Sequence, residues 1–525
     1  MPRVASAITV IGALAVLAAG IHHGTFAAAD SDPYGYVSEA DLMARGALRI
    51  DQRFAAAMPW PHPDLTFSPP GYRPTSDGFI VPIYAPGLPL VMALFQRIKG
   101  REAVFYVIPL LGAIAVWMTG RLGTKIHGPL TGVLAAAVVG TNVVFLYQLM
   151  QPVSDLATTA WWTISLALMV SGGSTAALGA GLAASMAILT RPNLVPLAAV
   201  IGGFALWNVV RATADDRGAA TRRVSLFVAG AAPGCLAVAA INWHLYGSPL
   251  QSGYWDAGQL YGWAHVLPNL DRYPRWLIQA RSAYLFLALA ALWLARSRQV
   301  YLLLAFSLVV FLSYLFYVPW GRQEWGYLRF VLPAFPALIV LTVAVVRELT
   351  RRISANDAAS GAVTTALFVA LAAWQAHEAV RLGAFATKPA EQRYVDVGRY
   401  AAAALPLNAL FISGAESGSL RYYSNRLTLR FDLLDEHWLD RAVDALRERG
   451  YRPYIVLEEG EEAPFRDHFG DRNVLGKLDW PPTVERTEPI RVRVYDPADR
   501  DRFLAGAPIT TGNVDIVHKP RVTVR

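Results

Sequence analysis

Long apolar segments recur up to residue 377, and they constrain the fold more than any other feature of the sequence. A helix that spans a lipid bilayer needs about 20 consecutive and mostly apolar residues. Good candidates are residues 4–25, 103–121, 128–149, 156–172, 175–190, 194–210, 224–244, 282–296, 299–318, 330–346 and 360–377. The pattern predicts a polytopic α-helical membrane protein with about 11 transmembrane helices.

The composition agrees with a chain that lies largely in lipid. Hydrophobic residues make up 54% of the sequence and charged residues only 16%, whereas soluble domains carry roughly 25% charged residues. A net charge of +8 is compatible with nucleic-acid binding. The arginines, however, occur in short loops between apolar segments, as the positive-inside rule expects. We therefore expect the lipid bilayer as a partner, and no nucleic acid.

One further apolar segment, residues 78–96, decides the predicted topology. It contains Pro82, Pro86 and Pro89, and proline removes a backbone donor and kinks helices. If the segment does not cross the membrane, one side receives Arg3, Arg121, Lys125, Arg211, Arg217, Arg222, Arg223, Arg296, Arg298, Arg347, Arg351 and Arg352. If it does cross, nearly all of these cations after the first change sides, against the rule. We therefore predict one long outer loop at residues 29–102, in which this segment is broken or lies at the membrane surface.

The same topology places the region after residue 382 on the outer side, where the sequence changes character. Charged residues become frequent, and alternating patterns predict strands at residues 409–414, 426–432, 453–459 and 489–496. Residues 436–450 have helical spacing and end at a glycine. We predict a transmembrane domain at residues 1–381 and a small extracytoplasmic α/β domain at residues 385–525.

Acidic residues cluster at the start of the outer loop, namely Asp30, Asp32, Glu39 and Asp41. If a helix begins near Ser38, the last two occupy its first turn, where the helix dipole favours carboxylates. Asp32 precedes a proline and is expected to be extended. A carboxylate beside the membrane, with its pKa raised by desolvation, can act as a general base. The alternative for Asp32 is a solvated loop residue.

Further charged residues share this side of the predicted topology. Asp155 starts a predicted span, where it either caps the helix dipole or serves a function. It is therefore a candidate to face one outer cavity together with Asp32. Arg191, Arg322 and Arg329 also lie outside, where the positive-inside rule does not explain them. Arginine forms bidentate bonds with phosphate oxygens, and the alternatives are snorkelling to headgroups or a structural ion pair.

Acids and arginines on one side of a membrane fit the transfer of a sugar from a membrane-anchored phosphate. Cations neutralise the leaving phosphate, and a carboxylate accepts the proton of the incoming hydroxyl. Aromatic residues such as Tyr34, Tyr36, Trp255 and Trp320 are able to stack on a sugar ring. An interfacial aromatic belt is the default interpretation of these four residues.

Five motifs occur in an order that resembles a known family. They are "DPYGYVSEADLMARG", the proline-rich "IYAPGLPLVMALF", "SDLATTAWWTISLAL", "GLAASMAILTRPN" and "YLRFVLPAFPALIVL". Together they resemble the protein O-mannosyltransferase and aminoarabinose transferase superfamily. Its members are GT-C fold enzymes that use polyprenyl-phosphate sugars. The resemblance covers roughly residues 1–350.

The resemblance implies an inverting sugar transfer on the outer membrane face, with a polyprenyl-phosphate sugar as donor and a protein, lipid or glycan as acceptor. By match to the motifs, Asp32 is the catalytic base and Asp155 the second acidic residue of the site. The resemblance further implies a bacterial inner or plasma membrane. Residues that would bind substrate are Tyr34, Tyr36, Tyr84, Arg191, Arg322 and Arg329.

The motifs also depart from the family pattern. Ala85 stands where some relatives carry a proline or a lysine, so a phosphate-holding lysine has no counterpart here. No metal ligand is predicted, and a divalent metal stays open because metal dependence varies among GT-C enzymes. The alternative functions are a transporter or flippase of lipid-linked sugars and a non-catalytic membrane scaffold. Transporters often carry paired repeats with ionisable groups near the bilayer midplane, a pattern that this sequence lacks.

Overall fold

Helices dominate the computed structural model of this protein, which describes residues 2–254, 257–318, 325–354 and 356–514. In chain order the α-helices of these ranges are α1 (Pro2–His23), α2 (Asp32–Ala44), α3 (Pro63–Thr66), α4 (Gly87–Lys99), α5 (Val107–His127), α6 (Pro129–Thr141), α7 (Val143–Leu149), α8 (Ser154–Ser171), α9 (Ser174–Thr190), α10 (Pro196–Val210), α11 (Ala214–Tyr246), α12 (Ala257–Leu260), α13 (Val266–Gln279), α14 (Ala291–Leu294), α15 (Arg298–Leu315), α16 (Phe335–Ile353), α17 (Asp357–Arg381), α18 (Thr387–Ala404), α19 (Ser417–Ser424), α20 (Leu439–Glu448), α21 (Glu462–Phe469) and α22 (Pro497–Leu504). The strands are β1 (Ile50–Asp51), β2 (Tyr72–Pro74), β3 (Phe79–Pro82), β4 (Ala409–Ser413), β5 (Thr428–Arg430), β6 (Arg452–Glu458), β7 (Val484–Arg486), β8 (Val492–Tyr495) and β9 (Gly512–Asn513).

The chain divides into two units. The helical unit comprises Met1–Gly24, Ala85–Phe95 and Glu102–Ala386. The mixed unit comprises Thr25–Tyr84, Gln96–Arg101 and Thr387–Arg525. Most of the predicted outer loop therefore belongs to the same unit as the predicted C-terminal domain. The last segment of the mixed unit begins at Thr387, close to residue 385.

The apolar segments of the sequence form the helical unit. Within the described ranges, seven helices are long and apolar enough to cross a membrane, and two bent helix pairs raise the number to nine. The bent pairs are α6 with α7, at 60°, and Trp263–Gln279 with Ala283–Leu294, at 111°. The remaining two predicted spans are the helices α8 and α9, of 18 and 17 residues. The prediction of a polytopic helical membrane protein is confirmed. The predicted number of about 11 spans is reached only if α8 and α9 are counted with the nine.

The proline-rich segment at residues 78–96 is not one regular helix. It begins with β3, turns, and continues as the 13-residue α4. A helix of that length is about 20 Å long and does not reach across a hydrocarbon core of about 30 Å. The prediction that this segment does not form a regular span is confirmed.

The mixed unit contains two sheets. The outer loop forms a small antiparallel sheet in the order β1-β3-β2, and the C-terminal residues form a six-stranded mixed sheet in the order β5-β4-β6-β8-β7-β9. In the larger sheet β4 pairs in parallel with both β5 and β6, whereas β8 is antiparallel to β6 and β7. All four predicted strands and the predicted helix, α20, are present, which confirms the α/β interpretation.

One hydrophobic core joins the outer loop to the C-terminal sheet. Met58, Trp60 and Phe67 of the loop are buried in the same cluster as Leu410 of β4 and Ile455 of β6. Burial of a large apolar side chain contributes roughly 1.5–3 kcal/mol, so these contacts are a substantial part of the stability of the unit. The loop that carries Asp32 is therefore held by the C-terminal part of the chain.

Candidate active site

The helix that carries Asp32 begins earlier than expected. The sequence favoured a start near Ser38 with Asp32 extended, but α2 begins at Asp32 itself, with Pro33 in its first turn. Proline is well suited to a first helical turn, because its fixed φ matches the helix and its missing N–H has no intrahelical partner there. The helix dipole consequently acts on Asp32. Glu39 lies further along, where burial raises the pKa of its carboxyl group well above the usual value.

The carboxylate of Asp32 is oriented by a tyrosine. The hydroxyl of Tyr84 donates a hydrogen bond of 2.7 Å to Oδ1 of Asp32 and lies 2.8 Å from Oγ of Ser31. Asp32 is half-buried. A half-buried carboxylate that a neighbouring donor holds in one orientation is well suited to accept a proton.

Two glycines allow the ring of Tyr84 to reach this position. A Cβ atom on Gly35 of α2 would lie 2.1 Å from Cε2 of Tyr84, and one on Gly71 would lie 2.9 Å from the same atom. Gly71 also has φ of +81°, which side-chain-bearing residues rarely adopt. Glycine inside a helix destabilises it by about 1 kcal/mol relative to alanine, and at Gly35 the close approach of Tyr84 explains its presence.

The other two candidate tyrosines are buried in the mixed unit. Tyr34 packs against Gly418 of α19, whose Cβ would meet the Tyr34 ring at 2.6 Å. Burial raises the pKa of Tyr34 to about 12. Tyr36 lies 4.7 Å from Tyr84 between ring centroids. Both residues support the start of α2, and contact of their rings with substrate remains a prediction.

A group of charges beside Asp30 was not recognised in the sequence. Arg393 of α18 donates from Nε to Oε1 of Glu458 at 2.8 Å, and the same nitrogen lies 4.0 Å from Oε1 of Glu416. Asp30 is exposed, yet crowding by protein removes part of its hydration and raises its pKa, and the carboxylates of Asp32 and Glu458 add to this effect. Burial likewise raises the pKa of Glu391 to about 7. The Glu391 carboxyl group is therefore partly protonated near neutral pH.

The helical unit contains the second acidic candidate with two arginines. Asp155 is in the first turn of α8 and only 2% exposed. Nη2 of Arg191, at the end of α9, donates to Oδ1 of Asp155 at 2.8 Å and to Oγ of Ser154 at 3.1 Å. Nη1 of Arg329 lies 4.0 Å from Oδ2 of the same carboxylate. The structure thus brings together three of the residues that the sequence selected.

The two guanidinium groups share one aromatic support. The ring of Phe330 lies 5.4 Å from the guanidinium of Arg191 and 4.9 Å from that of Arg329. Their side chains are 12% and 30% exposed. Together with the Asp155 carboxylate, the two guanidinium groups carry one net positive charge. Few water molecules screen this charge, so the arrangement suits an anion.

Three predicted residues lie outside the described ranges. They are Arg322, Trp255 and Trp320. In the described part of the chain, the His, Cys, Asp and Glu side chains form no group of three or more that is placed to hold a metal ion.

Comparison with known proteins gives the class of fold. No protein-family model matches the sequence, and the curated proteins that were searched include no match. The solved structures do match, and they show that the chain has the GT-C fold of membrane glycosyltransferases. The predicted GT-C architecture is confirmed.

Two solved proteins illustrate the likeness. ArnT from Cupriavidus metallidurans in the apo state has a TM-score of 0.53 and 13% identity, with 93% of this chain and 97% of that chain covered. The same enzyme bound to undecaprenyl phosphate has a TM-score of 0.51 and 14% identity, with coverage of 88% and 94%. The oligosaccharyltransferase AglB from Archaeoglobus fulgidus, in complex with an inhibitory peptide and a dolichol-phosphate, has a TM-score of 0.55 and 13% identity, with coverage of 88% and 70%. At these identities the comparison establishes the fold of a membrane protein.

Proposed function

We propose that this protein is a glycosyltransferase that moves a sugar from a polyprenyl-phosphate donor to an acceptor, with inversion at the anomeric carbon. The observation that carries the proposal is the position of Arg191 and Arg329 on either side of the buried Asp155 carboxylate. In a GT-C fold this pair of cations suits a lipid phosphate. The solved ArnT and AglB structures contain undecaprenyl phosphate and dolichol-phosphate, respectively.

In this proposal the two arginines bind the phosphate of the donor. The bond between the anomeric carbon and the phosphate oxygen breaks, and the electron pair leaves with polyprenyl phosphate. The negative charge that develops on the leaving oxygen is stabilised by Arg191 and Arg329, which present planar sets of N–H donors. Asp155 holds Arg191 in place through the 2.8 Å contact and is the second acidic residue of the site.

Asp32 is the proposed base. The acceptor hydroxyl gives its proton to the carboxylate of Asp32 while its oxygen forms the new bond to the anomeric carbon. A single displacement from the face opposite the phosphate inverts the configuration. Tyr84 positions Asp32 through the 2.7 Å hydrogen bond, and a base fixed in this way loses little entropy during the reaction.

We further propose that the chemistry takes place on the extracytoplasmic face of the bacterial inner or plasma membrane. The cations of the short loops support this orientation through the positive-inside rule. The acceptor is a protein, a lipid or a glycan.

Release of polyprenyl phosphate from a panel of polyprenyl-phosphate sugars tests the proposal. The purified protein is mixed with membranes from cells that lack its gene, since these retain unmodified acceptor. Wild type is compared with Asp32→Asn and with Asp77→Asn, an exposed residue of the same loop that pairs with Arg49. We expect release from one donor with wild type and Asp77→Asn, and a loss of roughly 10²–10⁴-fold with Asp32→Asn.

Two outcomes would count against the proposal. Normal release by a folded Asp32→Asn variant would remove Asp32 from the role of base. No release from any donor by folded wild-type protein would favour a transporter, a flippase or a non-catalytic scaffold instead.

A further inference from the structure

The helical unit contains a pocket whose lining includes Asn193, two positions after Arg191. Its volume is about 440 Å³, and it is lined by Asn193, Tyr261, Gly262, Trp263, Leu312, Ser313 and Phe316. Pockets for small ligands in proteins usually have volumes of roughly 300–1,000 Å³ and combine apolar walls with a few polar groups. The size and lining of this pocket fit that description.

The walls of the pocket are held firmly. Tyr261 and Tyr317 form an antiparallel bridge, with hydrogen bonds of 2.9 Å from the Gly262 nitrogen to the Phe316 oxygen and 2.8 Å from the Val318 nitrogen to the Leu260 oxygen. The buried Asn269 donates from Nδ2 to the carbonyl oxygens of Leu315, at 3.0 Å, and Tyr317, at 2.9 Å. These contacts satisfy carbonyl groups that the end of α15 would otherwise leave unpaired. The pocket is therefore a built feature of the fold.

A series of side-chain contacts links the lining of the pocket to Arg191. Asn193 follows Arg191 by two positions, and Nη1 of Arg191 lies 3.5 Å from the hydroxyl of Tyr314. The Tyr314 and Tyr317 rings lie 5.8 Å apart, and the Tyr317 and Tyr261 rings 5.2 Å apart. A ligand group that is bonded directly to a phosphate at the arginines would be close to this pocket.

The chemistry of the lining suits a neutral ligand with hydroxyl groups. Of the seven lining residues, all in the described part of the chain, none carries a charge. Nδ2 of Asn193 donates to the Tyr261 hydroxyl at 3.1 Å. The Asn193 carbonyl oxygen remains an acceptor and the Tyr261 hydroxyl hydrogen a donor. Such a donor and acceptor match a sugar hydroxyl, which both donates and accepts.

Aromatic rings form the apolar side of the pocket. Trp263 is 81% exposed and packs edge-to-face against Phe316, with centroids 4.9 Å apart. An exposed indole that is fixed by its neighbour offers a flat surface to the C–H face of a sugar ring.

The position of the pocket along the membrane normal argues against the hydrocarbon tail of the donor lipid as its occupant. Leu312 and Phe316 lie at the last turn of α15, an 18-residue helix. A helix of that length is about 27 Å long, close to the thickness of the hydrocarbon core. Its last turn is therefore at the level of the headgroups, where the sugar rather than the tail of a lipid-linked sugar lies.

We propose that this pocket binds the uncharged sugar ring of the donor, with Asn193 and Tyr261 as hydrogen-bonding residues and Trp263 as the stacking surface. The inference rests on the proposed function, because the phosphate must be held by Arg191 and Arg329. It goes beyond that function by assigning the part of the protein that distinguishes one donor sugar from another.

Binding without turnover tests this assignment. The purified full-length protein in detergent is titrated with decaprenyl phosphate and with decaprenyl phosphate linked to a neutral hexose or pentose. The variants are Asn193→Ala and Trp263→Ala. The matched control is Trp243→Ala, which removes another exposed tryptophan, on α11, that does not line the pocket; Trp243 is 64% exposed and Trp263 81%. Both target side chains are exposed, so their removal should leave the fold intact.

We expect each pocket variant to weaken binding of the sugar-bearing lipid roughly three- to tenfold and to leave binding of decaprenyl phosphate unchanged. Equal weakening for both lipids would overturn the proposal and assign the pocket to the phosphate or the polyprenyl chain. Wild-type affinity of both variants for both lipids would also overturn it.

An Arg329→Gln variant separates this inference from the proposed function. If wild type binds both lipids, Arg329→Gln loses both, and the pocket variants behave as wild type, only the sugar pocket is wrong. If folded wild-type protein binds neither lipid, the proposed function fails, and the sugar pocket fails with it.

Discussion

The hydroxyl of Tyr84 donates a 2.7 Å hydrogen bond to Oδ1 of Asp32, although the two residues are 52 positions apart in the sequence. The ring of Tyr84 reaches this carboxylate because Gly35 and Gly71 leave room for it. The contact links the first residue of α2 to the end of the outer-loop sheet. Each of the residues involved can be changed separately, so the contribution of the contact to transfer can be measured.

Replacement of Tyr84 by phenylalanine should slow transfer without unfolding the protein. The ring stays between the two glycines, but the carboxylate of Asp32 loses a donor. Hydrogen bonds to charged groups contribute about 1.5–3 kcal/mol, so we expect kcat to fall at least tenfold while KM for the donor changes little. Tyr72→Phe is the matched control, since it removes a tyrosine hydroxyl that lies 2.9 Å from Oγ of Ser38 on the same helix. Equal losses of kcat in the two variants would contradict a specific role for Tyr84.

Replacement of Gly35 by alanine should displace the Tyr84 ring. The new Cβ would lie 2.1 Å from Cε2 of Tyr84, and overpacking of this kind costs about 1–3 kcal/mol. We expect a lower melting temperature and a loss of transfer at least as large as that of Tyr84→Phe. Gly460→Ala is the control, because its Cβ would meet no atom within 4 Å. A Gly35→Ala protein with wild-type stability and activity would show that the ring does not need this space.

Replacement of Arg329 by glutamine should weaken binding of the lipid phosphate. Arg329 is the more exposed of the two arginines, and its Nη1 lies 4.0 Å from Oδ2 of Asp155. Loss of one charged partner of a phosphate should reduce affinity for decaprenyl phosphate by roughly tenfold or more. The control in the same titration is Arg298→Gln. Arg298 is the first residue of α15 and donates a hydrogen bond to Asn208. Unchanged affinity in Arg329→Gln would remove Arg329 from the phosphate site.

Replacement of Arg191 by glutamine should instead destabilise the helical unit. It leaves the buried carboxylate of Asp155 without its 2.8 Å partner, and breaking a buried ion pair costs about 3–5 kcal/mol. The double variant Arg191→Gln/Asp155→Asn removes the unpaired charge and should recover part of the lost melting temperature. A double variant that is less stable than Arg191→Gln alone would show that the pair does not act as a unit.

The stability of the mixed unit should fall as the pH rises from about 5 to 8. Burial is the main cause that raises the pKa of Glu416 from 4.5 to about 8, and the Glu458 carboxylate adds to it, while Ser419 and Arg393 act against it. A folded-state pKa above the unfolded value means that the folded protein binds more protons in this range. The stabilising contribution is therefore complete below pH 4.5 and is lost as the pH approaches 8.

Replacement of Glu416 by glutamine should flatten this dependence. The expected gain over wild type above pH 8 is at most about 5 kcal/mol, since the pKa rises from 4.5 to about 8 and each pKa unit corresponds to about 1.4 kcal/mol. The gain is measured as melting temperature against pH. Glu459→Gln changes an exposed residue of the same unit and should keep the wild-type slope. A Glu416→Gln protein with the wild-type slope would mean that another group releases the proton.

The sequence was sufficient to predict the helical unit because a bilayer sets the length of every span. Residues 4–25 and 360–377 could be recognised locally, without knowledge of their neighbours. The strands of the C-terminal sheet were recognisable for a similar reason, since alternation along β6 or β8 repeats every two residues. These features depend on local pattern alone.

The parts that could not be predicted depend on contacts between distant residues. The core that joins Trp60 and Phe67 to Leu410 has no local signature. The same holds for the position of Arg393 among the carboxylates near Asp30. Gly35 stands between two tyrosines in the sequence, but the helix was expected to begin only near Ser38, so this glycine did not indicate a close approach. Its partner, Tyr84, could not be named from the sequence.

The core shared by Trp60, Phe67 and Leu410 also sets an order of events during synthesis. The outer loop leaves the ribosome first, but its packing partners begin at Thr387, roughly 300 residues after Tyr84. At a translation rate of about 5–20 residues per second, the interval lasts roughly 15–60 s. For that time the aromatic side chains of the loop have no C-terminal strands to cover them, and the segment that carries Asp32 acquires its final support only when the last quarter of the chain has been made.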